Sequence, residues 1–474
     1  PVHGSIAVVP DERDANRTHH VRWIIYNLFF GLAAAIALPH YLLRMRKRGG
    51  YAAHFRQRFG RYAPEVLERM RPGALWIHAV SVGEVYVAGQ LMRAMRAIAP
   101  ETHFVLSTTS STGWREAEKL LEPNDTLIYN PLDIPVYIRR ALATIRPRAF
   151  LLAETELWPN WIRLCARQGI PLFLVNGRMS DATVATYRRL RYWFGPVLRC
   201  FDRLMVQSEL DARRFVSVGA DPAQLQVTGS FKYDAARRNP EKERMAAALL
   251  QELDFGPGRQ LLLGGSTWPG EEEALLAIYR RLSADHPDLR LALVPRHFER
   301  RESVVANIRA AGFNPVLKSR LDSGEEPRRP CTSGDVLLID TTGEIMGFYP
   351  QATLVFVGRS LGPEKGGQNM IEPCLCGVPT IVGPHTQNFR PVMADLLESQ
   401  ALLQVEDADG LQAALARLLD NPDERKALAA RAAATVAART GVVDRCARDL
   451  LAAIRQGSCP TFACKQKGEV QEPR

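Results

Sequence analysis

The sequence predicts an α/β protein with two Rossmann-like domains. Its 474 residues are more than one hydrophobic core ordinarily serves, so two domains are expected. Short apolar runs alternate with amphipathic helical runs in both halves, which is typical of parallel sheets covered by helices. Polar and glycine-rich motifs follow the apolar runs, at the carboxyl ends of strands where such folds bind ligands.

The first domain is predicted to span residues 44–237. We expect a parallel sheet with helices on both faces, because each strand-like run is followed by an amphipathic stretch. The predicted strands are Ala74–Val80, Phe104–Thr108, Thr126–Tyr129, Arg148–Ala153, Pro171–Asn176 and Arg203–Gln207.

The second domain is predicted to span residues 238–456. It ends in an Ala-, Leu- and Arg-rich helical region from Leu411 to Arg455, and residues 457–474 are a predicted tail. The predicted strands are Gln260–Gly264, Arg290–Val294, Val336–Asp340, Thr353–Val357 and Val378–Val382.

A glycine-rich loop from Phe356 to Pro373 follows one of these strands and is predicted to open a helix near Asn369. Glycines let a backbone approach a phosphate, and the N–H groups at a helix start favour negative charge, so the loop predicts an anion site. Arg359 and Lys365 would add positive charge, and Glu372 could bind ribose hydroxyls. An ordinary strand-loop-helix turn is the alternative. The loop glycines are Gly358, Gly362, Gly366 and Gly367.

Carboxylates follow two predicted strands of the first domain. Glu84, in Ser81-Val82-Gly83-Glu84, could act as a general base from the start of a helix. The alternative is an N-terminal cap made by Ser81 or Gly83. If the strand conformation continues past Ala153, Glu154 and Glu156 share one face and repel, which would raise the pKa of one of them.

Other polar side chains follow further strands. Ser266 or Thr267 could bind phosphate oxygens or cap the next helix, and Arg296 would bring a cation. The motifs concerned are Asn176-Gly177-Arg178, Ser230-Phe231-Lys232-Tyr233, Gly265-Ser266-Thr267, Pro295-Arg296-His297 and Thr341-Thr342-Gly343-Glu344.

The amino-terminal region predicts a membrane anchor, assigned to residues 21–43 after a polar tail at residues 1–20. From Trp23 to Leu43 the segment is apolar, and His40 is the one residue in it that could carry a positive charge. Basic residues follow at Arg44, Arg46, Lys47 and Arg48, so the positive-inside rule puts the rest of the chain in the cytoplasm. The segment either spans the bilayer or lies in its interface, and both place the protein at an inner leaflet.

Net charge and cysteine spacing exclude some classes of protein. The charge of +10 suits an anionic ligand or surface, but there is no zinc-ligand spacing, basic helix or aromatic RNA-binding motif, so no nucleic-acid partner is predicted. The cysteines are scattered without CxxC pairs, which predicts reduced thiols in a cytosolic compartment and no metal site.

Four of the motifs together resemble the 3-deoxy-D-manno-octulosonic acid (Kdo) transferases, which glycosylate lipid A in Gram-negative bacteria. The resemblance runs from the basic stretch after the anchor to about Leu451. It implies a GT-B fold, with an acceptor domain and a donor domain facing a cleft. It also implies transfer of Kdo from CMP-Kdo to a lipid A precursor, with inversion, without a metal or other cofactor, at the cytoplasmic side of the bacterial inner membrane. The motifs are Trp76-Ile77-His78-Ala79-Val80-Ser81-Val82-Gly83-Glu84, Glu154-Thr155-Glu156-Leu157-Trp158-Pro159-Asn160, Leu293-Val294-Pro295-Arg296-His297 and Gly366-Gly367-Gln368-Asn369-Met370-Ile371-Glu372-Pro373.

The resemblance also implies roles for individual residues. Glu84 matches the proton acceptor, and Glu154 and Lys232 match residues that stabilise the transition state. The residues that match CMP contacts are Pro295, Arg296, Thr342, Gly343, Glu344, Asn369, Met370, Ile371 and Glu372, and further expected contacts are Arg178, Ser266 and Gly367.

The chain departs from the family pattern at four positions near the donor motifs. The family usually has Met at the position of Thr342, His at those of Trp268 and Gln368, and Gly at that of Arg359. These departures concern donor contacts and leave Glu84 and Lys232 unchanged.

Other classes of function fit the sequence less well. Gly358-Arg359-Ser360-Leu361-Gly362 matches a nucleophile elbow, but the residues after Ser360 are too few to carry the acid and histidine in the required order. A Rossmann oxidoreductase would have a GxGxxG motif with an acidic partner about 20 residues further on, and the sequence contains no such motif. A membrane-associated GT-B enzyme, or a non-catalytic module, that binds a different sugar nucleotide is the alternative that stays open.

Overall fold

The computed structural model describes residues 23–32, 36, 54–256 and 258–457. The chain divides into two compact units. The first unit runs to Gly229 and includes Val443 onward, and the second unit is Ser230–Val442. Each unit is an α/β structure around its own parallel sheet, as the sequence predicts.

The first unit has a parallel sheet that, in the described residues, contains seven strands in the order β3-β2-β1-β4-β5-β6-β7. Large aromatic side chains fill the core beneath its centre, where the ring of Trp161 lies 4.6 Å from that of Trp76 and 5.2 Å from that of Phe150. The strands are β1 (Leu75–His78), β2 (Phe104–Thr108), β3 (Thr126–Tyr129), β4 (Ala149–Ala153), β5 (Leu172–Gly177), β6 (Arg203–Val206) and β7 (Leu225–Val227).

Helices connect these strands, and several begin at a serine whose hydroxyl accepts a backbone N–H, as Ser81, Ser110, Ser180 and Ser208 do. The α-helices are Pro64–Arg69, Val82–Ile98, Ser111–Glu118, Pro135–Ile145, Pro159–Arg167, Asp181–Arg189, Arg191–Leu198 and Glu209–Val218, and short 3₁₀ helices are Phe55–Phe59 and Pro222–Gln224.

The second unit has a parallel sheet in the order β10-β11-β9-β8-β12-β13-β14. The strands are β8 (Gln260–Thr267), β9 (Leu289–Pro295), β10 (Asn314–Leu317), β11 (Asp335–Leu338), β12 (Leu354–Val357), β13 (Thr380–Val382) and β14 (Leu403–Gln404). The α-helices are Lys232–Ala235, Pro240–Glu252, Glu271–Asp285, Arg301–Ala310, Lys318–Ser323, Ile345–Phe348, Ile371–Leu375, Arg390–Glu398, Ala408–Asp420 and Pro422–Arg439, with 3₁₀ helices at Phe298–Arg300, Tyr349–Gln351 and Gln387–Phe389. The last helix of the described residues is Val442–Gln456, which from Val443 belongs to the first unit.

Both sheets change winding direction beside their first strand. In the first unit the chain builds outward from β1 to β2 and β3, and then continues on the other side of β1 with β4. In the second unit it continues on the other side of β8 with β12. The loops after β1 and β4, and those after β8 and β12, diverge and leave a crevice. This position is the switch point of the sheet, where doubly wound folds bind their ligands.

The unit boundaries differ from the predicted domains 44–237 and 238–456 at both ends. Lys232 begins the first helix of the second unit, so it does not belong to the first domain as predicted. The chain from Val443 belongs to the first unit, where Gln226 Nε2 donates a hydrogen bond to Asp449 Oδ2 at 2.8 Å. The sequence has no glycine- or proline-rich linker at either boundary. Composition therefore does not mark the two points where the chain passes from one unit to the other.

Most predicted strands are present to within a few residues, but three short strands were not predicted. These are β7, β10 and β14. Each has two to four residues, too few for an alternating or apolar pattern to stand out. The predicted helix near Asn369 is Ile371–Leu375, a single short turn.

The predicted anchor at residues 21–43 lies partly outside the described residues, as do most of the predicted tails at 1–20 and 457–474. Residues 23–32 are helical. One side of this helix packs on the first unit: the Tyr26 hydroxyl donates to Asp133 Oδ2 at 2.8 Å, and Arg163 lies over the ring of Trp23 at 4.5 Å. Across residues 23–32, 36, 54–256 and 258–457, no helix is both long enough and apolar enough to cross a membrane.

Candidate functional site

Glu84 lies where the chain leaves β1 and begins the helix Val82–Ile98. The Ser81 hydroxyl caps this helix by accepting the Glu84 N–H, so the predicted cap is present. The Glu84 carboxylate accepts hydrogen bonds from Val80 N and from Ser81 Oγ, each at 2.8 Å. A cap and a fixed carboxylate therefore coexist at this strand end, and Glu84 is held in one orientation.

The environment of Glu84 favours a proton on its carboxyl group. The residue is 6% exposed, and burial raises its pKa, although the hydrogen bonds from Val80 and Ser81 oppose that rise. Negative charge on Glu154 raises the pKa further. A carboxylate with a raised pKa accepts a proton more readily than an ordinary one, which suits a general base.

Glu154 follows β4, the neighbour of β1. Its backbone has φ of +56°, so the strand conformation ends at Ala153 and does not continue to Glu156, which was the condition for a shared strand face. The Glu154 carboxylate accepts a hydrogen bond from Arg178 Nε at 2.9 Å, and the Thr155 hydroxyl donates to the Arg178 carbonyl oxygen. Arg178 follows β5, so three adjacent strand ends meet around this ion pair.

Glu156 completes a group of three carboxylates. Burial raises its pKa to about 7, and negative charge on Glu84 and on Glu154 adds to the effect. The pKa of one of the two carboxyl groups of Glu154 and Glu156 is thus raised, but burial is the largest cause and the two do not share a strand face. Glu156 was not among the predicted site residues, because its sequence motif does not show that Glu84 lies nearby.

In the second unit, the glycine-rich loop is built around a buried carboxylate from its own chain. Glu271, which is 1% exposed, begins the helix after β8. Its Oε1 accepts the N–H groups of Ser360 at 2.9 Å and Leu361 at 3.0 Å. Its Oε2 accepts those of Arg359 at 2.8 Å and Trp268 at 2.9 Å.

The expectation that these loop amides bind a substrate anion is therefore wrong for the amides of residues 359–361. Their negative partner is Glu271, whose position under the loop no local motif reveals. At the start of the following helix, the Ile371 N–H also has a partner within the loop, because Asn369 Oδ1 accepts it at 3.2 Å. Gly358 has no room for a side chain, because a Cβ there would lie 2.6 Å from Glu271 Oε2.

Glu372 and Arg296 face each other across the ends of β9 and the loop. Burial raises the pKa of Glu372, while a hydrogen bond from Asn369 Nδ2 at 3.0 Å and the positive charge of Arg296 oppose that rise. Arg296 N donates to the Thr267 carbonyl oxygen at 3.1 Å, which fixes Pro295 and Arg296 beside β8. These predicted donor residues thus lie around the switch point of the second sheet.

The predicted contacts Thr342, Gly343 and Glu344 follow β11, which is separated from β8 by β9. Two lysines that sequence analysis did not select hold this segment. Lys242 Nζ donates to the Gly343 carbonyl oxygen at 2.7 Å, and Lys318 Nζ lies 2.9 Å from Glu344 Oε2.

Lys232 reaches the glycine-rich loop through Asn388. Its Nζ donates to the Asn388 carbonyl oxygen at 2.5 Å and lies 4.2 Å from the ring centroid of Phe389. Asn388 N in turn donates to the Gly366 carbonyl oxygen at 2.9 Å. The predicted residues Lys232 and Gly367 are thereby brought to one region of the second unit.

Two other predicted donor contacts have buried side chains. Met370 and Ile371 are both fully buried in the hydrophobic core, so a ligand would meet their backbone and not their side chains. Ser266 has φ of +53° at the end of β8, where such a backbone turns its side chain out of the strand register.

The rival motifs have structural roles. The Ser360 hydroxyl is buried, donates to the Val357 carbonyl oxygen at 2.6 Å and accepts the Gly383 N–H at 2.9 Å, so it connects the ends of β12 and β13. Asp407 caps the helix Ala408–Asp420 by accepting the Gly410 N–H. Within the described part of the chain, no group of three or more His, Cys, Asp or Glu side chains is arranged to hold a metal ion.

The sequence is similar to proteins of one family over most of its length. A family model described as 3-Deoxy-D-manno-octulosonic-acid transferase (kdotransferase) matches residues 53–235. A 3-deoxy-D-manno-octulosonic acid transferase of Bordetella pertussis is 33% identical over 427 residues, which cover 88% of this chain and 95% of the relative. The enzyme of that name from Haemophilus influenzae is 31% identical over 363 residues, 75% of this chain and 82% of the relative.

The fold is similar to that of a solved glycosyltransferase. The crystal structure of a glycosyltransferase from Rickettsia africae matches with a TM-score of 0.53 at 13% sequence identity, over 82% of this chain and 100% of that chain. At this identity the likeness concerns the fold alone.

Proposed function

The chain belongs to the 3-deoxy-D-manno-octulosonic acid transferase family, and we propose that it transfers Kdo from CMP-Kdo to a lipid A precursor with inversion of the anomeric carbon. The observation that carries the proposal is the carboxylate group at the switch point of the first unit. There Glu84 is buried, oriented by two hydrogen bonds and raised in pKa.

The proposed reaction uses Glu84 as the general base. Glu84 takes the proton of the acceptor hydroxyl while the oxygen of that hydroxyl bonds to the anomeric carbon. The bond from that carbon to the phosphate oxygen breaks on the opposite face, and CMP leaves with the electron pair. General-base assistance of this kind contributes about 10²–10⁴-fold to the rate.

The proposed donor site is at the switch point of the second unit. CMP-Kdo carries negative charge on its phosphate and on its carboxylate, and the leaving CMP gains more. Arg296 and Lys232 supply fixed positive charge near the loop, and oriented cations stabilise such charge without the reorganisation that water requires. Because these side chains supply the charge, the proposed mechanism uses no metal and no cofactor.

We assign the first unit to the acceptor and the second to the donor, as the two halves of a GT-B glycosyltransferase. Glu154, paired with Arg178, keeps negative charge beside Glu84 and so raises the basicity of that carboxylate. Gly367 and Asn369 to Glu372 are assigned to CMP, together with Pro295, Thr342, Gly343, Glu344 and Ser266.

We also propose that the enzyme works on the cytoplasmic face of an inner membrane, with the helix at residues 23–32 lying in the interface. The helix has one protein-facing side, where Asn160 Nδ2 donates to Asn27 Oδ1 at 2.8 Å. Its other side exposes Leu28 by 68% and Phe29 by 69%. An apolar face of this kind lies among lipid headgroups and acyl chains, where a greasy acceptor also resides.

The test is product analysis with the purified protein, CMP-Kdo and a tetraacylated lipid A precursor in detergent. We expect a mass increase by one or more Kdo residues, and an anomeric configuration opposite to that of the donor. Loss of product in Glu84→Gln would support the mechanism. Binding of a nucleotide without any transfer would favour the alternative, a non-catalytic module for a different sugar nucleotide.

A further inference from the structure

Arg359 and Trp268 form a stacked pair at the switch point of the second sheet. Trp268 directly follows β8, and Arg359 follows the neighbouring strand β12 by two residues. The guanidinium carbon of Arg359 lies 4.8 Å from the centroid of the Trp268 ring. The ring of His297, after β9, lies edge-on to the indole with 5.2 Å between the ring centroids. Three adjacent strand ends thus contribute to one stack.

A single carboxylate fixes the backbone of both partners. Glu271 Oε2 accepts the N–H of Trp268 at 2.9 Å and that of Arg359 at 2.8 Å. Glu271 is buried, so it fixes the backbones of Trp268 and Arg359 relative to each other. Their side chains lie at the crevice between β8 and β12.

Arg359 adopts a backbone conformation that favours glycine. Its φ is +57°, in the left-handed region that a residue with a Cβ occupies at a cost. The family pattern has Gly there and His at the position of Trp268, so the two departures noted in the sequence meet each other in space.

The pair also has two N–H groups that find no acceptor in the described part of the chain. Arg359 Nε and Trp268 Nε1 are buried nitrogen atoms for which the described residues offer no hydrogen-bond acceptor. Buried donors nearly always have a partner. A cation and an indole N–H placed together at a ligand-binding crevice are suited to an anionic oxygen.

We propose that Arg359 and Trp268 form an anion subsite that binds a negatively charged group of the sugar-nucleotide donor, either its phosphate or the carboxylate of its sugar. The inference rests on the proposed function and adds two binding residues that the family motifs do not include. Arg359 bonds the anion, and Trp268 holds the guanidinium flat and donates its own N–H.

The test compares Arg359→Gly and Trp268→His with the wild-type chain in the transfer assay. We expect each to raise the KM for CMP-Kdo, by roughly 10- to 100-fold for Arg359→Gly, the usual effect of losing a hydrogen bond to a charged group. Inhibition by CMP, which has the phosphate but no sugar carboxylate, separates the two sources. A weaker CMP inhibition constant assigns the phosphate, and an unchanged one assigns the carboxylate. An unchanged KM together with unchanged CMP inhibition overturns the proposal.

Gln400→Gly is the matched control. Gln400 also has a positive φ, +49°, but it lies after the helix Arg390–Glu398 and not at the carboxyl end of a strand. Both glycine variants should unfold at the same temperature as wild type or higher, while only Arg359→Gly loses donor affinity. If the wild-type chain does not transfer Kdo, the proposed function fails. Titration of CMP and of free Kdo into the same variants then decides the subsite without turnover, since equal affinities in all of them overturn it.

Discussion

Glu84 and Glu156 follow two neighbouring strands of the first unit, and the negative charge of Glu84 contributes to a Glu156 pKa of about 7 after the larger effect of burial. The sequence places them in separate motifs, and the winding of the sheet from β1 to both β2 and β4 brings them together. The unit therefore concentrates carboxylates where it needs a basic one, and this arrangement has consequences for stability.

Replacing Glu156 by Gln should stabilise the protein at high pH and not at low pH. The unfolded carboxyl ionises near its ordinary value of 4.5 and the folded one near 7, so the folded state binds the proton more tightly between these values. The free energy of unfolding of the wild type therefore falls as pH rises through this window. After allowance for partial exposure, we expect Glu156→Gln to gain about 1–2 kcal/mol at pH 8 and almost nothing at pH 4.

Urea unfolding at the two pH values measures this difference. Glu101→Gln, at an exposed glutamate of the same unit, is the control and should behave like wild type. A larger gain at pH 4 than at pH 8 would show that the sign is wrong.

Replacing Glu84 by Gln should slow transfer by about 10²–10⁴-fold without weakening donor binding. The amide keeps an oxygen for the Val80 N–H but cannot take a proton. Steady-state kinetics should show a fall in kcat at constant KM for CMP-Kdo. Ser180→Ala is the control and should keep the wild-type kcat, because it removes another helix cap of the same unit at a cost of about 1 kcal/mol in stability and leaves the hydrogen bonds of Glu84 intact. A Glu84→Gln enzyme with wild-type kcat would refute the role of base.

Replacing Lys232 by Met should reduce kcat by roughly 100-fold or more, because a fixed cation at the developing charge is lost. Its stack on Phe389 contributes about 0.5–1 kcal/mol, so the unfolding temperature should change little. Arg431→Met is the control, since Arg431 Nε also donates to a backbone carbonyl of the second unit, that of Gln400 at 2.7 Å. Equal turnover in the two variants would remove Lys232 from the mechanism.

Replacing Glu271 by Gln should destabilise the second unit by about 2–4 kcal/mol. The introduced NH₂ group would face backbone N–H groups that now donate to Glu271, including those of Ser360 and Arg359. Glu273→Gln, two residues along the same helix but exposed, should cost less than about 1 kcal/mol. Thermal unfolding compares the two, and equal effects would contradict the structural role of Glu271.

Replacing Leu28 and Phe29 together by Ser should release the protein from membranes. Both side chains are exposed on the helix at residues 23–32, and each buried apolar side chain contributes about 1.5–3 kcal/mol to partition into lipid. Flotation with anionic phospholipid vesicles measures the bound fraction. Leu67→Ser, at an exposed leucine elsewhere in the first unit, should float as wild type does. Unchanged flotation of the double variant would exclude this helix as the contact.

The sequence predicts the parts of this fold that depend on local pattern. Strands β2 and β3 have the predicted bounds, because each contains three consecutive apolar residues, at 104–106 and 127–129, that are distinct from the helices around them. Short strands such as β14, with two residues, are set by their neighbours in the sheet and leave no pattern of their own.

Site residues follow the same division. Glu84 and Glu154 could be chosen because Glu84 lies in the first turn of the helix after β1 and Glu154 directly follows β4. Glu271 could not, because it lies 88 residues before Arg359 in the chain and meets the loop through packing alone. The raised pKa of Glu156 likewise depends on a neighbour from another strand.

The carboxylate of Glu271 has a consequence for the kinetics of donor capture. Since it occupies the backbone N–H groups of residues 359–361, the loop acquires its shape when the chain folds and not when a nucleotide arrives. The entropy of ordering that segment is then already lost before the encounter, and a pre-organised loop retains more of its interaction energy as affinity. Nucleotide association should accordingly occur in one fast phase, without a slow step of loop closure.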